Sequence, residues 1–190
     1  MKHIGMMLLS AALLAGAADI SFAQDVTARA QVCGACHGDD GNSKTPLVPS
    51  LAGQPVFFLT TQLVLMRENV RPVAAMQGLL AGLDDAALIE LAEHFSKMPP
   101  KASDERTDTA RIARGKDLSD AMRCTSCHGA DLKGQDQMPR LSGQRADYMV
   151  AAMKAFRDST RPGADPLMAN VVAGVPDADI EALAFYVSGK

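Results

Sequence analysis

Cys33-Gly34-Ala35-Cys36-His37-Gly38 and Cys124-Thr125-Ser126-Cys127-His128-Gly129 are two copies of one pattern, C-x-x-C-H-G, set 91 positions apart. The likeness extends outward from them. Leu51-Ala52-Gly53-Gln54 returns as Leu141-Ser142-Gly143-Gln144, 90 residues later, and Arg71-Pro72 returns as Arg161-Pro162, also after 90. Ala81-Gly82-Leu83 returns as Ala173-Gly174-Val175 after 92. A fixed order with an offset that drifts by one or two residues means one unit duplicated, with small loop differences between the copies. Between the copies lies Met98-Pro99-Pro100-Lys101-Ala102-Ser103, whose prolines end the preceding helix and stiffen a spacer. The boundary is therefore placed near residue 103, giving units 24–103 and 104–190.

The repeating apolar positions have helical spacing. Phe58, Leu59, Leu63 and Met66 share one face, as do Tyr148, Met149, Met153 and Phe156 in the second copy. A last helix in each copy starts at Asp84-Asp85 or Pro176-Asp177 and places Leu88, Leu91 and Phe95, or Ile180, Leu183 and Val187, on its inner face. No alternating strand pattern of useful length interrupts them, so the fold class is all-α.

All four cysteines belong to the two C-x-x-C-H motifs. This is the attachment spacing for c-type haem. Two thiols three residues apart reach the two vinyl groups of one porphyrin, and the histidine that follows meets the iron from the same side. The cofactor expected is thus two covalently bound haem c groups, on Cys33 and Cys36 and on Cys124 and Cys127, with His37 and His128 as iron ligands. A shared structural zinc would need neither the histidines nor any matched methionine. A thioredoxin-like redox pair would need a βαβ setting, and a disulfide within C-x-x-C would close too small a loop to stabilise much. Aromatic residues make up only 4% of the chain and Trp is absent. Two cores of this size are thin without a large group to pack around.

An iron that carries electrons usually has a second axial ligand. The chain beyond residue 23 has eight methionines, and the repeat selects among them. Met66 aligns with Phe156, Met149 with Leu59, Met153 with Leu63, Met138 with Val48 and Met122 with Gln31, while Met98 follows the last helix of its copy. Only Met76 and Met168 coincide, each eight residues before the start of the final helix. These two are the expected sixth ligands, and the others read as core packing. His94, the one other histidine after residue 23, is an alternative haem ligand, but it stands in the last helix of the first copy where the second copy has Tyr186, and it reads as a partly exposed helical histidine. Pro49 and Pro139 stand twelve and eleven residues after their histidines. A metal-bound imidazole normally gives its other N–H to an acceptor, and the proline carbonyls are candidates, with an ordinary loop proline as the alternative. Arg71 and Arg161 are candidates for pairing with haem propionates, with a solvated surface arginine as the alternative.

The amino terminus reads as an export signal. Lys2 and His3 precede a mostly apolar run, Ile4 to Ala18, and Ser21-Phe22-Ala23 offers small residues where a signal peptidase reads. Cleavage is expected after Ala23, leaving a periplasmic protein. The apolar run is shorter than the ~20 residues of a spanning helix, and no cysteine at the cleavage point suggests a lipid anchor. The net charge of −3 excludes an obvious nucleic-acid binder. Basic and acidic residues number 6 and 8 in 25–103 and 12 and 13 in 104–190, so neither half declares a charged docking face.

With these residues in view, the chain resembles diheme cytochromes of the c4 type, two class I cytochrome c domains in tandem. The likeness covers nearly all of the chain after residue 23. It rests on Cys33, Cys36, His37, Gly38, Pro49, Leu51, Gly53, Gln54, Arg71 and Met76, and on Cys124, Cys127, His128, Gly129, Pro139, Leu141, Gly143, Gln144, Arg161 and Met168. The chain departs from such relatives at His94 and at Leu118, where an aromatic is common. The resemblance implies a periplasmic carrier with His/Met ligation, its haems facing each other near the domain interface. It implies as partners a quinol-oxidising complex and a haem–copper terminal oxidase, met in transient contact with membrane complexes. The same architecture serves as the cytochrome subunit of larger dehydrogenases, including a flavocytochrome that oxidises sulfide. A different class, a diheme peroxidase-like enzyme, would need an iron with an open or displaceable position and acid–base groups above it, and the matched methionines argue against that.

Overall fold

The computed structural model describes residues 18–103 and 108–190, with side chains described from residue 26. The expected leader and its cleavage point fall outside the residues whose side chains are described, and the expected boundary adjoins the undescribed 104–107. The first half forms α1 (Ala18–His37), α2 (Val56–Arg67), α3 (Ala74–Leu80) and α4 (Asp85–Ser96). The second forms α5 (Thr109–Ala121), α6 (Thr125–His128), a 3₁₀ turn (Ala130–Leu132), α7 (Ala146–Arg157), α8 (Pro166–Val172) and α9 (Asp177–Ser188). Among the described residues there is no β-strand, only an isolated bridge between Gln135 and Met138. The all-α reading therefore stands.

Each half packs its own core. In the first, α2 and α1 lie against α4, around Ala30, Leu59, Leu91, Ala92 and Phe95. In the second, α5 and α7 lie against α9, around Leu132, Met149, Met153, Ile180, Leu183 and Val187. Burial of a leucine such as Leu88 or Leu91 contributes roughly 1.5–3 kcal/mol. The last helices begin where the acidic and proline signals lie: Asp84 caps α4 by accepting the Ala87 N–H at 2.9 Å, and Pro176 opens α9. One arginine per copy fastens α2 or α7 to the turn before the last helix. Arg67 donates to the Leu83 carbonyl at 3.0 Å and pairs with Asp85 at 2.7 Å. Arg157, 90 residues on, donates to the Val175 carbonyl at 2.9 Å and pairs with Asp177 at 2.6 Å.

The copies are not identical in detail. The motif of the first copy finishes a continuous α1, whereas in the second Arg123 takes φ 56° and separates α5 from α6. Where α5 crosses α9, Gly115 sits against the backbone of Ala182, and a Cβ there would collide with that carbonyl.

The two halves meet through a crossed pair of amide clamps. Gln144 accepts the Ser50 N–H at 2.8 Å and donates to the Ser50 carbonyl at 2.9 Å. Gln54 accepts the Arg140 N–H at 2.9 Å and donates to the Arg140 carbonyl at 2.9 Å. Both glutamines are 3% exposed. Ser50 and Arg140 are themselves 90 residues apart, as the glutamines are, so the interface repeats the internal symmetry of the chain. The Arg140 side chain adds a pin that has no counterpart at Ser50. Its guanidinium donates to the carbonyls of Ala52, at 2.8 Å, and Ser142. Burial without a carboxylate pushes its pKa down to about 10, still protonated at neutral pH. At the edge, Asp147 accepts the Leu47 N–H at 3.0 Å and pairs with Arg145 at 2.8 Å.

Two outcomes follow from this packing. Gly115→Val forces α5 away from α9 and is expected to destabilise the second core by about 2–3 kcal/mol, read as a lower melting temperature in the far-ultraviolet helix signal. Burial alone would raise the Asp147 pKa, but its hydrogen bonds from Arg145, Leu47 and Tyr148 and the Arg145 charge outweigh this and hold it below the ordinary value. A carboxyl lowered on folding stabilises above its unfolded pKa of about 3.9 and loses that contribution as pH falls through the folded value. Asp147→Asn should therefore melt below the parent at pH 7, and the gap should close as the pH drops below about 4.

Candidate haem sites

The histidine of each motif ends a helix. Gly38 and Gly129 follow at φ 86° and 77°, a conformation that glycine adopts without strain and that turns the chain back at once. The returning loop is then tied under the histidine. The Gly41 carbonyl accepts the N–H groups of Leu51 and Ala52 at 2.7 and 3.0 Å, and the Leu132 carbonyl accepts those of Leu141 and Ser142 at 2.8 and 3.1 Å. This brings Pro49 and Pro139 to their histidines: His37 Nδ1 lies 2.8 Å from the Pro49 carbonyl, and His128 Nδ1 lies 2.9 Å from the Pro139 carbonyl.

A carbonyl can only accept, so Nδ1 carries the hydrogen in both rings and Nε2 keeps its lone pair. Both histidines are buried. That burial lowers their pKa, with the hydrogen bond to the proline carbonyl working the other way. The net result favours the neutral imidazole that a metal requires. No disulfide joins any of the four cysteines. Cys33 and Cys124 are half-buried against the two cores, and burial raises their pKa, while Cys36 and Cys127 are exposed. Each copy thus holds two cysteines outside any disulfide and one buried imidazole with Nε2 left for a metal, all within five residues, a donor set that fits covalent haem c. No cluster of three or more His, Cys, Asp or Glu suited to another metal occurs among the described residues.

Met76 and Met168 occupy the same place in each copy, the third residue of α3 and of α8, and both are half-buried. Met168 packs against the second core. The seven-residue helices that carry them are not foretold by periodicity. The readable cue is Asp165-Pro166, where Asp165 caps α8 by accepting the Leu167 N–H at 2.8 Å.

Arg71 and Arg161 are both half-buried. Arg71 donates to Gln62 Oε1 at 2.7 Å. Burial lowers its pKa, Tyr148 opposes that, and the Arg161 cation adds to the lowering. Arg161 lies over the Phe156 ring at 4.8 Å. Neither arginine has a carboxylate partner among the described residues. His94 stays half-exposed in α4, edge-on to Phe95 at 5.3 Å.

Sequence reasoning used Gln54 and Gln144 only as markers of the repeat and passed over Ser50 and Arg140. Polar residues at a constant 90-residue offset, in loops with no chemistry of their own, were the available signal.

A cytochrome c family profile matches residues 112–189. The chain is 35% identical over 179 residues to cytochrome c4 of Azotobacter vinelandii, covering 85% of each chain. It is 36% identical over 173 residues to cytochrome c4 of Pseudomonas aeruginosa, again covering 85% of each. A thiosulfate dehydrogenase electron acceptor of Thiomonas intermedia is 34% identical, with 83% of this chain and 78% of that one covered. Among solved structures, reduced recombinant cytochrome c4 from Pseudomonas stutzeri superposes with a TM-score of 0.80 at 33% identity, covering 88% of this chain and 97% of that one. Tandem motifs, helical fold and relatives agree: the chain belongs to the cytochrome c4 family, electron carriers with covalently bound haem c, here two.

Proposed function

We propose that the chain is a periplasmic one-electron carrier with one His/Met-ligated haem in each of the units 24–103 and 104–190. In this reading it takes electrons from a quinol-oxidising complex and passes them to a haem–copper terminal oxidase. The observation that carries the reading is the double set of equivalent residues. Each copy has its own buried histidine with Nδ1 on a proline carbonyl and its own half-buried methionine on a short helix. Cys33, Cys36, Cys124 and Cys127 would hold the porphyrins by thioether bonds, and His37, Met76, His128 and Met168 would bind the irons. When bound, each haem supplies an iron that alternates between Fe(III) and Fe(II). The thioether and the apolar surroundings favour the reduced state and raise the potential. A histidine and a methionine on each iron would leave no open coordination site for a substrate. Arg71 and Arg161, cations without a carboxylate partner among the described residues, are proposed to face the propionates. No helix among the described residues is long and apolar enough to cross a membrane.

A second reading has a specific observation behind it. The Thiomonas relative is named an electron acceptor of thiosulfate dehydrogenase. On that reading the chain serves a sulfur-oxidising dehydrogenase, a variant of the dehydrogenase-subunit role, in place of a quinol-oxidising complex. Reduction rates with each class of donor distinguish the two.

The ligand assignment has a direct spectroscopic test. Oxidised holoprotein should contain two c-type haems per chain by pyridine haemochrome and show a Met–Fe(III) band near 695 nm. Met76→Ala and Met168→Ala should each remove about half of that band and open one iron to cyanide, whereas Met66→Ala and Met153→Ala should leave it intact. A parent protein that binds carbon monoxide at one iron without mutation would make that iron a catalytic or sensing centre and end the simple-carrier reading.

A further inference from the structure

The proline carbonyl that receives each histidine and the N–H gripped by each glutamine belong to the same peptide group. His37 Nδ1–H points to the Pro49 carbonyl, and the N–H on the other side of that peptide bond, Ser50, is given to Gln144 of the second copy. His128 Nδ1–H points to the Pro139 carbonyl, and the Arg140 N–H of that peptide is given to Gln54 of the first copy. Each histidine is therefore joined, through one peptide plane, to the opposite half of the molecule. We infer that Gln144 and Gln54 are crossed positioning residues: each amide strengthens the hydrogen bond beneath the histidine of the other copy, so that the interface itself sets part of each haem's potential.

The physical route is short. An acceptor on a peptide N–H draws that peptide further towards its polar resonance form and places more negative charge on its oxygen. Hydrogen bonds in such a chain reinforce one another by about 10–30% each. A stronger acceptor on Nδ1–H makes the imidazole a better electron donor to its metal. This favours Fe(III) and lowers the potential. The four interface bonds are between 2.8 and 2.9 Å, and all four residues are buried, so bulk water does not compete for them. The arrangement is not quite symmetric. Gln144 Oε1 also accepts the Arg145 N–H at 3.0 Å, whereas the equivalent residue in the first copy is Pro55, which has no N–H. Gln54 Oε1 accepts no second N–H among the described residues, so its relay to His128 is expected to be the stronger although its bond, at 2.9 Å, is no shorter than the 2.8 Å of Gln144.

The inference rests on the assignment of His37 and His128 as iron ligands, and its test keeps the two apart. The holoprotein variants Gln144→Leu, Gln144→Glu and Gln54→Leu are titrated while each haem is followed by its own nuclear magnetic resonance signals. Gln144→Leu should make reduction of the first haem more favourable by roughly twofold, the size expected when a charge-assisted bond is weakened by that cooperative fraction. The second haem should be little changed. In the reduced protein the His37 Nδ1 proton should move upfield. Gln54→Leu should do the same to the second haem and His128, by a larger amount. Gln144→Glu keeps an acceptor on the Ser50 N–H and should leave the first haem at or below its parent potential. Loosening of the interface alone would act differently: admitted water favours the ferric charge and lowers both potentials. Equal shifts at the two haems, a downward shift in Gln144→Leu, or an unmoved Nδ1 proton would overturn the relay. Absence of the 695 nm band from the parent protein would overturn the ligand assignment instead.

Discussion

The peptide group between Pro49 and Ser50, and its counterpart between Pro139 and Arg140, is the constraint on which the rest of the architecture turns. Its carbonyl fixes the tautomer of a buried histidine and its N–H is fixed by a glutamine across the interface. A loop can hold a peptide plane in that orientation only if its own backbone groups are satisfied. That is the work of the Gly41 and Leu132 carbonyls, each of which accepts two N–H groups from the returning strand of loop. The positive-φ glycines after the histidines make the return possible, and the two cores hold the helix that delivers the motif. Local geometry, core and interface are therefore parts of one arrangement around each imidazole.

Duplication explains why the interface is built as it is. When two copies of one unit pack about an approximate two-fold relation, whatever residue 54 does to the second copy residue 144 does to the first. Two glutamine amides that donate and accept toward backbone satisfy four buried polar groups with no charge to desolvate, each bond adding about 1 kcal/mol net. The asymmetries sit outside this pair. Arg140, buried where the first copy has Ser50, carries a cation into the junction and holds it on two carbonyls. Asp147, where the first copy has Phe57, ties Leu47. Divergence has thus altered the margin of the contact and kept its centre.

Much of this was legible in the residues alone. The C-x-x-C-H pair named the cofactor because the spacing has few other uses, and the last helices were readable because Asp84 and Pro176 are strong start signals ahead of a clean apolar face. Aligning the copies singled out Met76 and Met168 by elimination, where composition could not. The short helices that carry them were not legible: seven residues offer too little periodicity, and only the Asp165 cap leaves a trace. The break at Arg123 has no glycine to announce it. The glutamine clamps were hidden for a different reason. Their function is a contact between residues 86 and 94 positions apart, and a polar residue in a loop gives no sign of its partner until the chain has folded.

The central claim is that the copies are equivalent haem units, each closed by its own methionine. It is tested most directly by proton–carbon spectra of the reduced holoprotein carrying carbon-13 in its methionine methyl groups. A methyl bound at an axial position lies over the porphyrin face, where the ring current drives its resonance far upfield. Two such methyls are expected, lost singly in Met76→Leu and Met168→Leu. One upfield methyl, or a pair assigned to any other methionine, would contradict it.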